Sequence, residues 1–289
     1  DAQIAGHISP ISSRIDGTIT RVYVNNTDTV KAGQPLADID PRDYQVAVEQ
    51  ARANLAAAQS QVQQSQANYQ ADLAKIGQAQ AANAKAQSDA VRYRALLTRN
   101  VVSRAEYDQY ISIAKVDVEQ VKSDRAIADA DAKKILSQQA AVQAAQAALD
   151  QALLNLSYTH IVAPVAGVVG QKTVEVGQRV QPGQGLLAIV PLNDVWVTAN
   201  FKETQLRRMR PGQPVTIHVD ALGRDFHGHV QGLGGASGEI YSVLPPENAT
   251  GNYVKVVQRF PVRIAFDPGQ DRGHLLRPGM SVEPQVWLR

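Results

Sequence analysis

Hydrophobic positions recur every seven residues through a long stretch of this chain. Val48, Leu55, Val62, Tyr69, Ile76, Asn83, Ala90 and Leu97 form one series; Tyr107, Ala114, Val121, Ala128, Ile135, Val142, Leu149 and Leu156 form a second. Members of the two series lie at mirror positions about Val102, from Val48 with Leu156 to Leu97 with Tyr107. An antiparallel hairpin requires this, because residues equidistant from the turn meet across the seam, and a heptad kept up on both arms argues for a coiled coil. Helix-breaking residues are correspondingly scarce: no Pro lies between Pro41 and Pro164, and Gly77 is the only Gly between Gly33 and Gly167. The pattern slips around residues 98–106, where Ser103 and Glu106 have the spacing of a capping box that starts a new helix. At a rise of about 1.5 Å per residue, arms of about 50 residues reach roughly 80 Å, so an elongated molecule is expected. Asn83 interrupts the apolar stripe and is read as a polar layer that fixes register.

The segments flanking the hairpin are copies of each other, offset by 150 positions. Gly17 matches Gly167, Val24 matches Val174, Val30 matches Val180, Gly33 matches Gly183, Gln34 matches Gln184, Leu36 matches Leu186, Ile39 matches Ile189 and Pro41 matches Pro191. In each copy short β-branched runs surround a turn, Lys31 to Leu36 in one and Gln181 to Leu186 in the other. Pro182-Gly183 suits a type II turn. Each half of about 30 residues is too small to bury a core alone, and two of them face to face make one small β-sandwich.

From Leu192 to Arg289 the pattern is all-β. Val195, Val197, Ala199 and Phe201 alternate with polar or amphipathic neighbours, as do Val215, Ile217 and Val219, then Val262, Ile264 and Phe266, then Val282, Val286 and Leu288. Turns at residues 210–213 and 277–280 separate these runs, and Glu203 to Met209 has the composition for one helical turn. Several short strands in about 100 residues read as a small barrel. The Gly- and Pro-rich stretch 232–252 reads as a long mobile loop.

Composition narrows the function classes. The 289 residues suggest two domains with cores of their own. Lys and Arg total 29 against 27 Asp and Glu, too balanced a charge for a nucleic-acid-binding footprint. The absence of Cys removes disulfides, thiolate metal sites and thiol nucleophiles. No apolar run is long enough to span a membrane. The chain begins at Asp1, from which an N-terminal targeting or anchoring segment is expected to have preceded it.

No catalytic constellation stands out. His227 and His229 would share one face of a strand, a possible metal pair whose simpler reading is two exposed histidines. Asp38 and Asp40 read as a cap or turn pair, and Arg207, Arg208 and Arg210 as a solvated basic turn. Asn248-Ala-Thr250 matches a glycosylation sequon without functional weight here. No cofactor or metal site is assigned.

Residues 17–41 and 167–191 resemble the two half-motifs of a lipoyl or biotinyl-carrier domain, split by a helical hairpin. That arrangement resembles the periplasmic adaptor, or membrane fusion, proteins of tripartite efflux pumps and type I secretion systems. Val195 to Leu206, Gly212 to Val215 and Asn248 to Ile264 are similar to the EmrA-type adaptors that serve major-facilitator drug exporters. The resemblance implies an α+β fold: residues 9–42 as lipoyl-like half 1, 43–157 as the coiled-coil hairpin with its tip near 98–104, 158–191 as half 2, and 192–289 as a β-barrel domain, with residues 1–8 available for a further strand. A carrier domain needs a modified Lys at the tip joining its halves; the coiled coil occupies that tip, and Lys31 and Lys172 lie elsewhere.

The family further implies a non-enzymatic subunit in the periplasm of a Gram-negative bacterium, anchored to the inner membrane through a segment N-terminal to this sequence. Its partners would be a major-facilitator transporter, a TolC-type outer-membrane channel and further copies of itself, commonly six in the family. Arg92, Leu96 and Ser103 match the arginine-leucine-serine tip motif that engages such a channel. On one helical face they present a charged donor and an apolar knob, with a small polar group capping the next helix. The competing readings are an adaptor for type I protein secretion and, from another class, a lipoyl-like carrier or enzyme domain.

Overall fold

The computed structural model describes residues 1–237, 257–271 and 273–288. The chain divides into two compact units, one of Asp1–Asp40 with Tyr158–Arg289, the other of Pro41–Ser157.

The second unit is the helical hairpin. Helix α1 spans Arg42–Thr98 and α2 spans Arg104–Ser157. Their packing follows from the heptad series: Val48, Leu55 and Leu149 are buried in one cluster, with Val142 and Leu156 half-buried against it. Further along, Ala90, Val121 and Ala128 are buried. A second seam runs three residues on from the first, and the apolar pattern alone does not reveal it. Its buried members on α1 are Ala51, Ser65, Asp72 and Ala86. Asp72, only 7% exposed, pairs with Lys75 at 2.8 Å. Ser65 Oγ and Gln138 Oε1 are buried with no hydrogen-bond partner. Nearer the turn the rings of Tyr93 and Tyr110 stack at 3.8 Å between centroids. The exposed faces are stitched by amide contacts four residues apart, such as Gln50 with Asn54 and Gln120 with Asp124, which support long helices with little charge.

The first unit contains the duplicated module. Half 1 supplies β2 (Ser9–Ser12), β3 (Gly17–Val22), β4 (Thr29–Val30) and β5 (Pro35–Ile39), following β1 (Ala2–Gly6). Half 2 supplies β6 (His160–Val162), β7 (Gly167–Val169), β8 (Arg179–Val180) and β9 (Gly185–Val190). The sheets run β2-β9-β7-β4 and β6-β5-β3-β8, so each mixes strands from both halves. Neither half could form its sheet alone. The buried positions repeat with the sequence offset: Ile19 and Val169, Val24 and Val174, Val30 and Val180, Leu36 and Leu186, Ile39 and Ile189 all lie in the core. So do the ties between halves. Gly33 N–H donates to the Ala163 carbonyl at 2.7 Å, and Gly183 N–H to the Ser13 carbonyl at 2.8 Å. Gly17 and Gly167 are required by close approach: a Cβ would come within 2.4 Å of Ile39 Cγ2 at the first, and within 2.8 Å of Ile189 Cγ2 at the second.

The remaining strands are β10 (Val195–Lys202), β11 (Pro214–Val219), β12 (Arg224–Leu233), β13 (Arg259–Phe266) and β14 (Val282–Val286), with a 3-10 turn at Glu203–Arg208. They form a six-stranded antiparallel sheet in the order β1-β10-β13-β12-β11-β14. It curls until its edges touch, through a bridge between Gln3 and Ser281 and the bond from Ile4 N–H to the Met280 carbonyl. Ile4, Val197, Ile217, Phe226, Val230 and Ile264 fill the interior. The loop expected over 232–252 starts later than its composition implied, because Gly232 and Leu233 complete β12 after a bulge and still pair with β13. Of that loop, residues 238–252 lie outside the described residues, as do Asn248 and the first part of the 248–264 motif.

Candidate functional site at the hairpin tip

Helix α1 ends because its last carbonyls are taken up by a tight reversal. The Leu96 carbonyl accepts from both Arg99 N–H and Val101 N–H, and Asn100 adopts a left-handed φ of +56°, a conformation its short polar side chain tolerates. Helix α2 then begins at a complete capping box. Glu106 N–H donates to Ser103 Oγ at 3.2 Å, while Ser103 N–H donates to Glu106 Oε2 at 2.9 Å. Ser103 therefore builds the turn, and its hydroxyl is engaged within the tip; it also contacts the Glu106 carboxylate at 3.1 Å.

Arg92 is exposed and held by Asp89 at 3.3 Å, one turn back on the same helix. Leu96 is half-buried. In the turn itself the exposed apolar side chain is Val101, 66% exposed, which the motif match does not include. Below it the Tyr93–Tyr110 stack clamps the two helices; the hydrogen bond with Tyr110 and partial burial hold the Tyr93 phenol above its usual pKa. The tip thus presents a short turn with Val101 exposed, Arg92 paired with Asp89, and Arg99 and Arg104 exposed beside them.

The other residues singled out by type resolve into local structure. His227 and His229 lie on the outer side of β12. His229 Nδ1 pairs with Asp267 at 3.0 Å, whereas the neighbouring Asp225 pairs with His218 at 2.6 Å. That bond raises the His218 pKa above its ordinary value. Among the described residues, no group of three or more His, Cys, Asp or Glu side chains could hold a metal ion. Lys172 pairs with Glu175. Asp38 is neither cap nor turn: it lies within β5 and takes hydrogen bonds from Tyr23 and from His160 of the other half. Burial pulls its carboxyl pKa up, and the bonds to Tyr23 and His160 outweigh this, leaving it below the ordinary carboxylate value.

Comparison with known proteins sets this geometry in context. Residues 7–192 match the family described as the RND MFP, barrel-sandwich hybrid domain. The multidrug export protein EmrA of Escherichia coli (strain K12) is 41% identical over 289 residues, spanning 97% of this chain and 74% of the relative. The fatty acid resistance protein FarA of Neisseria gonorrhoeae is 38% identical, spanning 99% of this chain and 74% of the relative. Among solved structures, MacA from Actinobacillus actinomycetemcomitans superimposes with a TM-score of 0.68 at 19% identity, covering all of this chain and 79% of that one. A helical hairpin set into a split β-sandwich, with these relatives along almost its whole length, makes this chain a member of the membrane fusion, or periplasmic adaptor, protein family, within its EmrA-type multidrug export group.

Proposed function

We propose that this protein is the non-enzymatic adaptor of a tripartite multidrug efflux pump, joining an inner-membrane major-facilitator exporter to a TolC-type outer-membrane channel. The observation that carries the reading is the identity to multidrug export protein EmrA across 97% of the chain. Relatives named for resistance to fatty acids and to colistin support a role in moving diverse toxic compounds. No helix among the described residues is long and apolar enough to cross a membrane; the adaptor reading further implies anchoring at the inner membrane. It acts in the periplasm and as several copies around the exporter, whose ion gradient supplies the energy while the adaptor supplies geometry.

On this reading the tip docks on the channel through Arg92, Leu96 and the Ser103 turn, and Val101 adds an exposed apolar contact in the turn. Docking of one hairpin end against another would extend the coiled coil, with a small apolar knob entering a gap between the partner's side chains. Site-directed crosslinking from Val101→Cys in cells, with drug efflux measured in parallel, tests it. The expected result is a crosslink to the outer-membrane channel and impaired efflux in Arg92→Ala, Leu96→Ala and Val101→Asp. Crosslinks to no outer-membrane protein, with full efflux in all three variants, would remove the tip assignment.

A further inference from the structure

The six-stranded sheet closes incompletely. β14 pairs along its length with β11, but its other edge meets β1 only through the bridge at Ser281 and the bonds around Met280. From Pro284 onward that edge faces the 3-10 turn Glu203–Arg208 across a groove of about 450 Å³, a size typical of small-molecule sites. Phe201, Met209, Val286 and Leu288 give it apolar walls, and Arg207 and Arg208 line it as well.

The three arginines of this turn are not equivalent. Arg210 spends its guanidinium on the carbonyls of Arg207 and Met209, at 3.2 and 2.9 Å, and so holds the turn closed. Among the described residues no ion pair or hydrogen bond involves the guanidinium of Arg207 or Arg208. Among the described residues no carboxylate lines the groove. The adjoining cleft differs in this respect, because its Arg259 is neutralised by Asp1. Two cations without an ion-pair partner among the described residues, beside an apolar trough, favour a ligand with one negative head and one hydrocarbon chain: the head gains charge-assisted hydrogen bonds from the planar forks, and the chain is withdrawn from water.

We propose that this groove binds a single-chain anionic amphiphile, specifically a long-chain carboxylate, independently of any contact at the hairpin tip. Isothermal titration calorimetry of the whole chain with laurate below its micellar concentration tests the assignment. Laurate is expected to bind at one site, and Arg207→Ala/Arg208→Ala to weaken it by at least about tenfold. This double variant alters only exposed side chains, so folding is retained and circular dichroism checks it. Val286→Glu, which places a negative charge in the trough, is expected to weaken binding similarly, and dodecyltrimethylammonium, of the same chain length and opposite charge, to bind at least tenfold more weakly than laurate. Absence of laurate binding, unchanged affinity in the arginine variant, or equal affinity for the cationic amphiphile would overturn the proposal. Flotation with phosphatidylglycerol vesicles in the absence of laurate binding would also overturn it, in favour of a membrane-surface contact.

Discussion

The duplicated sandwich contains its own control for backbone strain. In the turn Asn25–Asp28, Thr27 has a φ of +74°; 150 positions on, Gly177 occupies the equivalent place with a φ of +85°. The two turns are otherwise alike. Asn25 N–H donates to the Asp28 side chain at 2.7 Å and Glu175 N–H to the Gln178 side chain at 3.0 Å. Thr27 N–H donates to the Val169 carbonyl at 2.9 Å, and Gly177 N–H to that of Ile19 at 2.8 Å. A left-handed conformation costs an L-residue roughly 1–2 kcal/mol, more for a β-branched one. Glycine avoids this but loses roughly 0.5–1 kcal/mol through greater unfolded-chain entropy. Thr27→Gly should therefore stabilise the sandwich by about 0.5–1 kcal/mol, and Gly177→Thr should destabilise it by a similar amount. Space does not confound the second substitution, since a Cβ at Gly177 meets nothing within 4 Å. Native-state hydrogen exchange at the Val169 amide, which donates to the Asp28 carbonyl at 2.9 Å, reports the sandwich. Exchange should slow by about two- to fivefold in Thr27→Gly and quicken by a similar factor in Gly177→Thr. If both substitutions move the rate in the same direction, or Thr27→Gly quickens it, the strain argument is wrong.

Three further outcomes follow from buried polar groups and caps. Ser65→Ala removes a hydroxyl that is 1% exposed and without a partner; it should leave the hairpin as stable or raise its unfolding free energy by up to about 1 kcal/mol, and a loss of helical signal at lower temperature would contradict this. Ser103→Ala breaks the capping box and should cost about 1 kcal/mol; faster exchange confined to the first turn of α2, with the base around Leu55 unchanged, is the expected pattern. Because the Asp38 carboxyl is held below the ordinary carboxylate value, its contribution to stability is present above that ordinary value and is lost as pH falls through the depressed one. Asp38→Asn should therefore flatten the acid limb of sandwich stability measured by denaturant titration below about pH 4, and an unchanged slope would show that the Tyr23 and His160 bonds carry no linkage.

Much of the fold was legible because duplication and mirror symmetry are properties of residue order. The pairing of Leu55 with Leu149 and of the Val30 region with the Val180 region needed only arithmetic on position, and the cores contain them. What escaped were contacts made by residues with no hydrophobic signal of their own. The second hairpin seam uses Ala51, Ser65, Asp72 and Ala86, small or polar residues that a search for apolar stripes passes over. The Asp38 network joins Tyr23 in one half with His160 in the other, so neither neighbour is near it in sequence on the scale of a local motif. At the tip, the spacing of Arg92, Leu96 and Ser103 could be read from the chain, but Ser103's capping role was also visible there, whereas the exposure of Val101 depends on how the reversal turns.

The distribution of side chains along the hairpin has a physical consequence of its own. At the base, Val48, Leu55 and Leu149 bury branched hydrocarbon with Val142 and Leu156 against them; near the tip, stacked aromatic rings and a capping box hold the turn. Between them the seam contains an orphaned serine hydroxyl, an orphaned glutamine oxygen and a buried aspartate whose ion pair is with Lys75 of its own helix. Each of these gives up hydration for a weaker return than a buried leucine would give. Helix propensity then has to carry the middle: the Ala- and Gln-rich composition and the absence of Pro keep both helices continuous where side-chain packing is least favourable. The cost of separating the two helices is accordingly greatest at the ends and least around Ser65 and Asp72, so local opening should begin there while both helices remain helical.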